Sequence, residues 1–517
     1  MLPSRIENSI RNIKIGYFCK IAVGIFAFLN RTLLINCLGT NYAGISGLFT
    51  EVLGILSFSE LGIGLALNYR LYEPIAKNDK ETIKSLMLFY GKAYRIIALV
   101  ILTLGLMIIP FLDNIVKRVD NVGNIHVYYL IYLINTVISY FLSYKINYIN
   151  ALQENYIVSI IDSTCAIITY IFQIISIYTT KNFTIYLLCL LCVSILHKFF
   201  ANLYINKRYP LLVEANIKPL NKKVKNLIKK DVSAIIFLNL GNVAVHQTDN
   251  IIISSFVDIS IVGKVTYYLA FFNISKGIIS TAMNSIVGSI GNALQSVSKS
   301  SQKLIYHRCL FITCWLHGIF SICMFLILPD IISFLVGSEN HIEIAAFALI
   351  TIDFYTLGER TITNNFRLNG GIFEQGKYVA ILCAVINLVT SIHFVRIIGL
   401  TGVYVGTILA ALVSEIVNAY VLYKYVFNSS VLDYYLLICK YFIATFLAFC
   451  VCLVINSLFS RLNLIFILIK SILLLVFVNL FWVILFYKSD DFKYFKNILT
   501  NRFKTYKAFR KYYDKKN

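Results

Sequence analysis

Charge is what this chain of 517 residues has least of. Asp, Glu, Lys and Arg make up only 14 % of it, while Ala, Val, Ile, Leu, Met, Phe, Trp, Tyr and Cys reach 58 %. An ordinary soluble protein is about 25 % charged and roughly 45–50 % apolar. With a mean hydropathy of +0.75, that deficit excludes a water-soluble globular chain. Proline is scarce as well, six in all, and no low-complexity tract is present, which excludes a disordered chain. Phosphate-cradling Gly-rich loops, metal-ligand clusters and nucleophile motifs are missing, so ATP-driven work would need a separate subunit. The twelve cysteines all lie in or beside apolar runs, and no disulfide framework is readable. Cys189 and Cys192 have CxxC spacing, but in a hydrophobic run with no second pair they read as packing, not zinc ligation.

What is present in quantity is apolar sequence in long blocks. A spanning helix needs roughly 20 mostly apolar residues. Fourteen such blocks occur, at 13–38, 44–69, 90–112, 127–149, 156–179, 184–205, 232–256, 262–289, 307–328, 343–366, 377–396, 400–424, 435–457 and 464–487. They lack the alternation of barrel strands, so each must satisfy its own backbone as a helix. The block behind Lys14 is far longer than the apolar core of a signal peptide and has no small-residue cleavage site, so it is expected to stay as an anchor. The fold expected is an all-α polytopic membrane protein of about 14 transmembrane helices.

The net charge of +22 would suit nucleic acid, but its distribution argues for a membrane. With the N-terminus in the cytoplasm, only six of the 47 Lys and Arg fall in outer loops: Lys117, Arg118, Lys181, Lys264, Arg396 and Arg461. That bias is what the positive-inside rule predicts, and an even number of spans places both termini in the cytoplasm. The basic segments 206–231 and 488–517 are therefore expected to meet anionic lipid head groups, and no nucleic acid. In the first of them Leu220, Val224, Leu227 and Ile228 recur at helical spacing, a pattern suited to a helix lying in the interface or to a solvated connector.

The chain also repeats itself. Tyr42-Ala43-Gly44 recurs as Ile261-Val262-Gly263, and Pro110 recurs as Pro329, each ending a span. Gln153-Glu154-Asn155-Tyr156 recurs as Glu374-Gln375-Gly376-Lys377-Tyr378. Offsets near 220 residues divide the chain into a lobe at 1–205 (TM1–TM6), a basic linker at 206–231 and a second lobe at 232–427 (TM7–TM12). Two extra helices at 428–487 and a basic tail at 488–517 follow. Two parallel six-helix repeats are a transporter architecture, with the substrate expected between them near mid-membrane.

Charges inside spans are costly and mark function. Lys20, Lys198, Lys440 and Lys470 lie within reach of helix ends and can snorkel. Arg31, Lys276 and Arg360 lie deeper. Lys20 and Arg31 share a helical face, as do Asp353 and Arg360, and the latter two could equally form a buried ion pair. Asp249, Glu51, Glu60 and Asp162 are embedded acids. His246 lies one turn before Asp249, a spacing suited to a proton-sensitive pair. Together these residues describe a cavity rich in cations, suited to an anionic substrate. The abundant Phe and Tyr fit interfacial belts.

Several short motifs carry a resemblance. Asn30-Arg31-Thr32, Leu38-Gly39, Tyr42-Ala43-Gly44, Gly47-Leu48-Phe49, Glu60-Leu61-Gly62-Ile63-Gly64 and Tyr72-Glu73-Pro74 resemble the opening helices of polysaccharide repeat-unit flippases. These are the Wzx-type members of the MOP superfamily, to which the MATE exporters also belong. Ser143-Tyr144-Lys145 with Gln153–Tyr156 resembles their span 4–5 turn. Lys377-Tyr378 with Gly399-Leu400-Thr401-Gly402-Val403 and Gly406-Thr407 resembles their spans 11 and 12. Ala410 departs from the small hydroxyl residue expected there.

The resemblance implies a MATE-like transporter that moves undecaprenyl-pyrophosphate-linked oligosaccharide across the bacterial cytoplasmic membrane by alternating access. It implies coupling to a proton or sodium gradient and no bound cofactor. The substrate-binding cations would be Arg31, Lys20, Lys276 and Arg360, of which Arg31 alone matches a family position. Asp249, His246, Glu60 and Asp353 would serve coupling or charge pairing. A polysaccharide polymerase and a chain-length regulator are the expected protein partners. A drug or cation exporter of the same fold is the nearest alternative, and a membrane polymerase or glycosyltransferase the next. The first would favour an acidic cavity, and the second a large outer loop with catalytic acids, which this sequence lacks.

Overall fold

Backbone N–H and C=O groups in hydrocarbon find partners only within a helix, and every regular element described here is helical. The computed structural model describes residues 5–57, 63–116, 122–214, 220, 224–228, 247–294, 298–370, 372, 378–459 and 463–497. In chain order the helices begin with α1 (Arg5–Leu38), α2 (Thr40–Leu56), α3 (Ile63–Ala76) and α4 (Lys80–Ile108). Then come α5 (Leu112–Ile115), α6 (Ile125–Ala151), α7 (Asn155–Thr180), α8 (Phe183–Arg208) and α9 (Asp249–Phe256). The remainder are α10 (Ile259–Leu294), α11 (Lys299–Val336), α12 (Ile344–Asn369), α13 (Val379–Val421), α14 (Leu432–Ser457) and α15 (Leu464–Phe486). Among the described residues, nine helical stretches are long and apolar enough to cross a membrane. The chain is a multi-pass membrane protein.

Two of the expected spans, 377–396 and 400–424, lie within α13, which turns sharply at Ile398–Gly399. Gly399 takes a φ of +58°, a left-handed conformation that costs a side chain but not glycine. The arms on either side pack closely enough that a Cβ on Gly406 would collide with Ser391. The expected span 44–69 is described as two pieces, α2 and α3, and of 232–256 only α9 and the residues beside it are described. Pro329 does not end its helix, since α11 runs on through it to Val336. The expected anchor α1 is a single helix of 34 residues.

The helices form two compact units, Met1–Ala270 with Ala380–Thr407, and Phe271–Val379 with Ile408–Asn517. Lipid tails are as apolar as leucine, so small residues and polar bonds must hold membrane helices together. In the first unit Asn30 donates to Gln173 Oε1 (3.0 Å) and to Tyr186 Oη (2.8 Å), tying α1 to α7 and α8. Asn12 clasps the α6–α7 turn, donating to Gln153 O (2.9 Å) and accepting from Tyr156 N–H (2.8 Å). The start of α2 crosses the start of α10 with backbones in contact. A Cβ on Gly44 would fall on the Ile259 carbonyl, and one on Gly263 would fall on the Thr40 carbonyl. Leu220, Val224 and Ile228 pack against Leu67, Leu86 and their neighbours, while Leu227 stays exposed. Three of these four residues thus turn toward protein, where an interfacial helix would turn them toward lipid.

In the second unit the core is aromatic. Trp315 and Trp482 stack at 6.2 Å, and Tyr306 shares a 2.9 Å hydrogen bond with Thr363. Lys470 of α15 does not snorkel. It is buried, with Nζ bonded to Asp330 Oδ2 (2.5 Å) and Leu326 O (2.8 Å) of α11.

Candidate functional site

Arg31 lies seven residues from the end of α1 and is half-buried in the first unit. Its Nη2 donates to the Ala43 carbonyl at 3.3 Å and to Thr266 Oγ1. Nε is buried and makes no hydrogen bond. Tyr132, Tyr170, Tyr186 and Tyr267 stand around the guanidinium. Tyr267 shares a 2.7 Å hydrogen bond with Thr32 and stacks on Phe28 at 6.0 Å. Among the described residues no carboxylate forms an ion pair with Arg31. Its partners are neutral oxygens, which satisfy hydrogen bonds without cancelling charge. Lys20 lies eleven residues earlier on α1, about 16 Å along the axis, and is exposed.

Two of the acids that could have neutralised Arg31 are engaged elsewhere in the same unit. Glu51 accepts from the backbone N–H of Asn250 (3.0 Å) and from its side-chain amide (2.5 Å). Asp249 accepts from Thr407 Oγ1 at 3.4 Å. Around Asp249 the α13 hairpin gathers oxygen. Asn387 Nδ2 reaches Thr407 Oγ1 at 3.2 Å, and Ser391 donates to Val403 O at 2.9 Å. Asn387 is fully buried, and its Oδ1 has no hydrogen-bond partner. A nest of carboxylate, amide, hydroxyl and backbone oxygens is the donor set that a hard cation takes. Among the described residues no group of three His, Cys, Asp or Glu exists that would suit a transition metal. Glu60 and His246 lie outside the described residues.

The second unit holds the remaining predicted residues. Arg360 Nη2 bonds Asp353 Oδ1 at 2.5 Å and Asp353 O at 3.0 Å. Lys276 of α10 is half-buried and feels both charges. Asp353 thus faces two cations, and Glu359 and Glu415 also lie within electrostatic range of Arg360.

Compared with solved structures, the chain aligns with lipid II flippase MurJ in an inward closed conformation at a TM-score of 0.70 and 14 % identity, over 93 % of this chain and 99 % of that one. The fold is that of the lipid II flippase and the MATE transporters. A multidrug resistance MATE family transporter of the MOP superfamily, inward-facing, aligns at 0.60 and 14 % identity, over 78 % and 96 %. The MATE multidrug transporter DinF-BH aligns at 0.56 and 15 %, over 83 % and 98 %. No family model matches the chain, and no curated protein matches its sequence. At such identities what is shared is the fold.

Within that fold, two acids escaped the sequence reading. Glu359 and Glu415 of the second unit are both buried and face each other, with Tyr434 donating to Glu415 at 2.6 Å. Both lie inside expected spans, so the depth test applied to Asp249 and Glu51 would have found them. Asp162, counted there among the embedded acids, lies within electrostatic range of His197.

Proposed function

We propose that the protein flips undecaprenyl-pyrophosphate-linked oligosaccharide across the bacterial cytoplasmic membrane for assembly of surface polysaccharide. One observation carries this reading: Arg31 is a permanently charged group about two turns inside the end of a spanning helix, hydrogen-bonded to neutral oxygens and to no described carboxylate. Such a group calls for an anion or water to face it, and a guanidinium binds phosphate oxygens bidentately. The shared fold supports movement of cargo by alternating access. The Asp249 nest is the proposed site of the coupling ion, a proton or sodium. Both termini are assigned to the cytoplasm, and a polymerase and a chain-length regulator are the protein partners proposed.

The test separates contact with substrate from a structural role. Arg31→Ala should reduce surface polysaccharide tenfold or more, about 1.4 kcal/mol, while the amount of protein in the membrane stays normal. Arg31→Lys should retain part of the activity, since the charge survives and the fork does not. Normal export by Arg31→Ala at normal abundance would sink the assignment.

A further inference from the structure

Arg31 and Lys20 are not the only cations of the first unit that lie within helices. Where α4, α6 and α8 meet, a cavity of about 370 Å³ is lined by Arg95, Lys145 and Lys198 together with Tyr144, Asn202 and Phe199. No carboxylate is among its described lining residues. Lys145 is buried, and its Nζ donates to Asn202 Oδ1 (2.6 Å) and Asn206 Oδ1 (2.5 Å). Those two bonds fix the ammonium without neutralising it and leave its third N–H available. Arg95 is exposed and Lys198 half-buried, and neither forms an ion pair among the described residues. Asp162 of α7, which acts on the neighbouring His197, does not line the cavity.

The position of the cavity limits what could fill it. Lys145 is six residues from the end of α6, and Asn202 is six from the end of α8. At 1.5 Å per residue each is about 9 Å inside its helix end, the depth at which hydrocarbon gives way to head groups. The same end of the unit carries Lys80, Lys84, Lys207 and Arg208. The lining also includes Phe141 and Phe199, which are 55 % and 58 % exposed, and Phe200 stands against Phe199. These exposed rings give the cavity an apolar edge. The site therefore combines three cations with an apolar lip. A small free anion would use the cations and ignore the lip. An anionic lipid would use both.

We propose that this cavity binds the phosphate of a membrane lipid, whose hydrocarbon chain lies along Phe141 and Phe199. Arg95 is the group able to grip two phosphate oxygens at once, and the two lysines act as point charges behind it. Basic pockets between spanning helices at the head-group level are suited to anionic lipid.

The experiment uses the full chain, purified in neutral detergent and stripped of lipid, with binding read by native mass spectrometry. The probes are phosphatidylglycerol, phosphatidylcholine, undecaprenyl phosphate and inorganic phosphate. One equivalent of phosphatidylglycerol or of undecaprenyl phosphate should be retained at least tenfold better than phosphatidylcholine. Whichever of the two binds more tightly identifies the source as bulk lipid or as the glycan carrier. Arg95→Gln with Lys198→Gln should lose that retention about tenfold. The melting temperature of the lipid-free double variant should match the wild type, and if it falls, each single variant is titrated instead. Equal retention of phosphatidylcholine would overturn the proposal, as would unchanged binding in the variants. Displacement of lipid by equimolar inorganic phosphate would overturn it too, because no chain would then be needed. Equilibrium binding is read here and export in the Arg31 experiment, so either proposal can fail while the other stands.

Discussion

A carboxylate placed among other oxygens can hold a cation or a proton, and Asp249 is so placed, with Thr407 donating to it, Asn387 Oδ1 unmet nearby and the Glu51 carboxylate within electrostatic range. Removing its charge while keeping its shape should abolish coupling without disturbing packing. Asp249→Asn is expected to lower polysaccharide export about tenfold at unchanged abundance. Wild-type export should fall when either external sodium or the proton gradient is removed, and the variant should no longer respond to that ion. Export by Asp249→Asn at the wild-type level would remove this residue from the mechanism. Asp249 and Arg31 were readable in the sequence because each is a charge well inside a long apolar run. The fate of a lysine near a helix end was not. Lys470 could reach either water or a partner, and only the approach of α11 shows that Asp330 and the Leu326 carbonyl take it. The pairing of Glu359 with Glu415 was hidden for a related reason, although each acid alone is readable as a charge inside an expected span. They lie far apart in sequence, and their encounter depends on packing that no local pattern encodes.

Helix crossings put tighter limits on sequence than helices themselves do. The crossing of α2 with α10 is reciprocal. Gly44 lies against Ile259, and Gly263 lies against Thr40, and each pair is the other displaced by the same repeat interval. The sequence shows the two glycine motifs and their spacing, but not that the motifs touch. Apolar periodicity reports which face is buried and is silent on which residue lies at a crossing. At these positions any Cβ would overlap a backbone carbonyl, which cannot swing away as a side-chain tip can. Gly44→Val or Gly263→Val should therefore reduce the amount of folded protein and lower its melting temperature in detergent. Gly24→Ala is the control. It sits in α1 with open space around it, and replacing glycine by alanine in a helix gains up to about 1 kcal/mol. Equal stability of Gly24→Ala and Gly263→Val would mean that the crossing does not constrain the fold. The same contrast between local and non-local information explains Pro329. A proline signals a break when only neighbours are considered, yet α11 continues through it because its packing holds the last turn in place.

Over the whole chain, helix connectivity and charge together state an orientation. In the first unit the start of α4 and the end of α8 carry Lys80, Lys84, Lys207 and Arg208, whereas α5 and the segments after α5 and α7 carry Asp113, Asn124 and three cations, Lys117, Arg118 and Lys181. In the second unit Lys299, Lys303, Lys424 and Lys488 mark the start of α11, the stretch after α13 and the end of α15. The turn between α11 and α12 carries Glu339 and Glu343. Lysine and arginine are retained on the cytoplasmic side during insertion, and acids contribute little to that choice. The basic ends should therefore be cytoplasmic in both units. Single cysteines introduced into a cysteine-free background provide the measurement, using four exposed sites. Asp113→Cys and Ser338→Cys should react in intact cells with a membrane-impermeant maleimide. Lys77→Cys and Ser430→Cys should react only after the cells are opened. Labelling of Lys77→Cys from outside would reverse the first unit and overturn the cytoplasmic assignment of the N-terminus. Labelling of Ser430→Cys from outside, with Lys77→Cys protected, would leave an odd number of crossings between those two positions and overturn the count of fourteen.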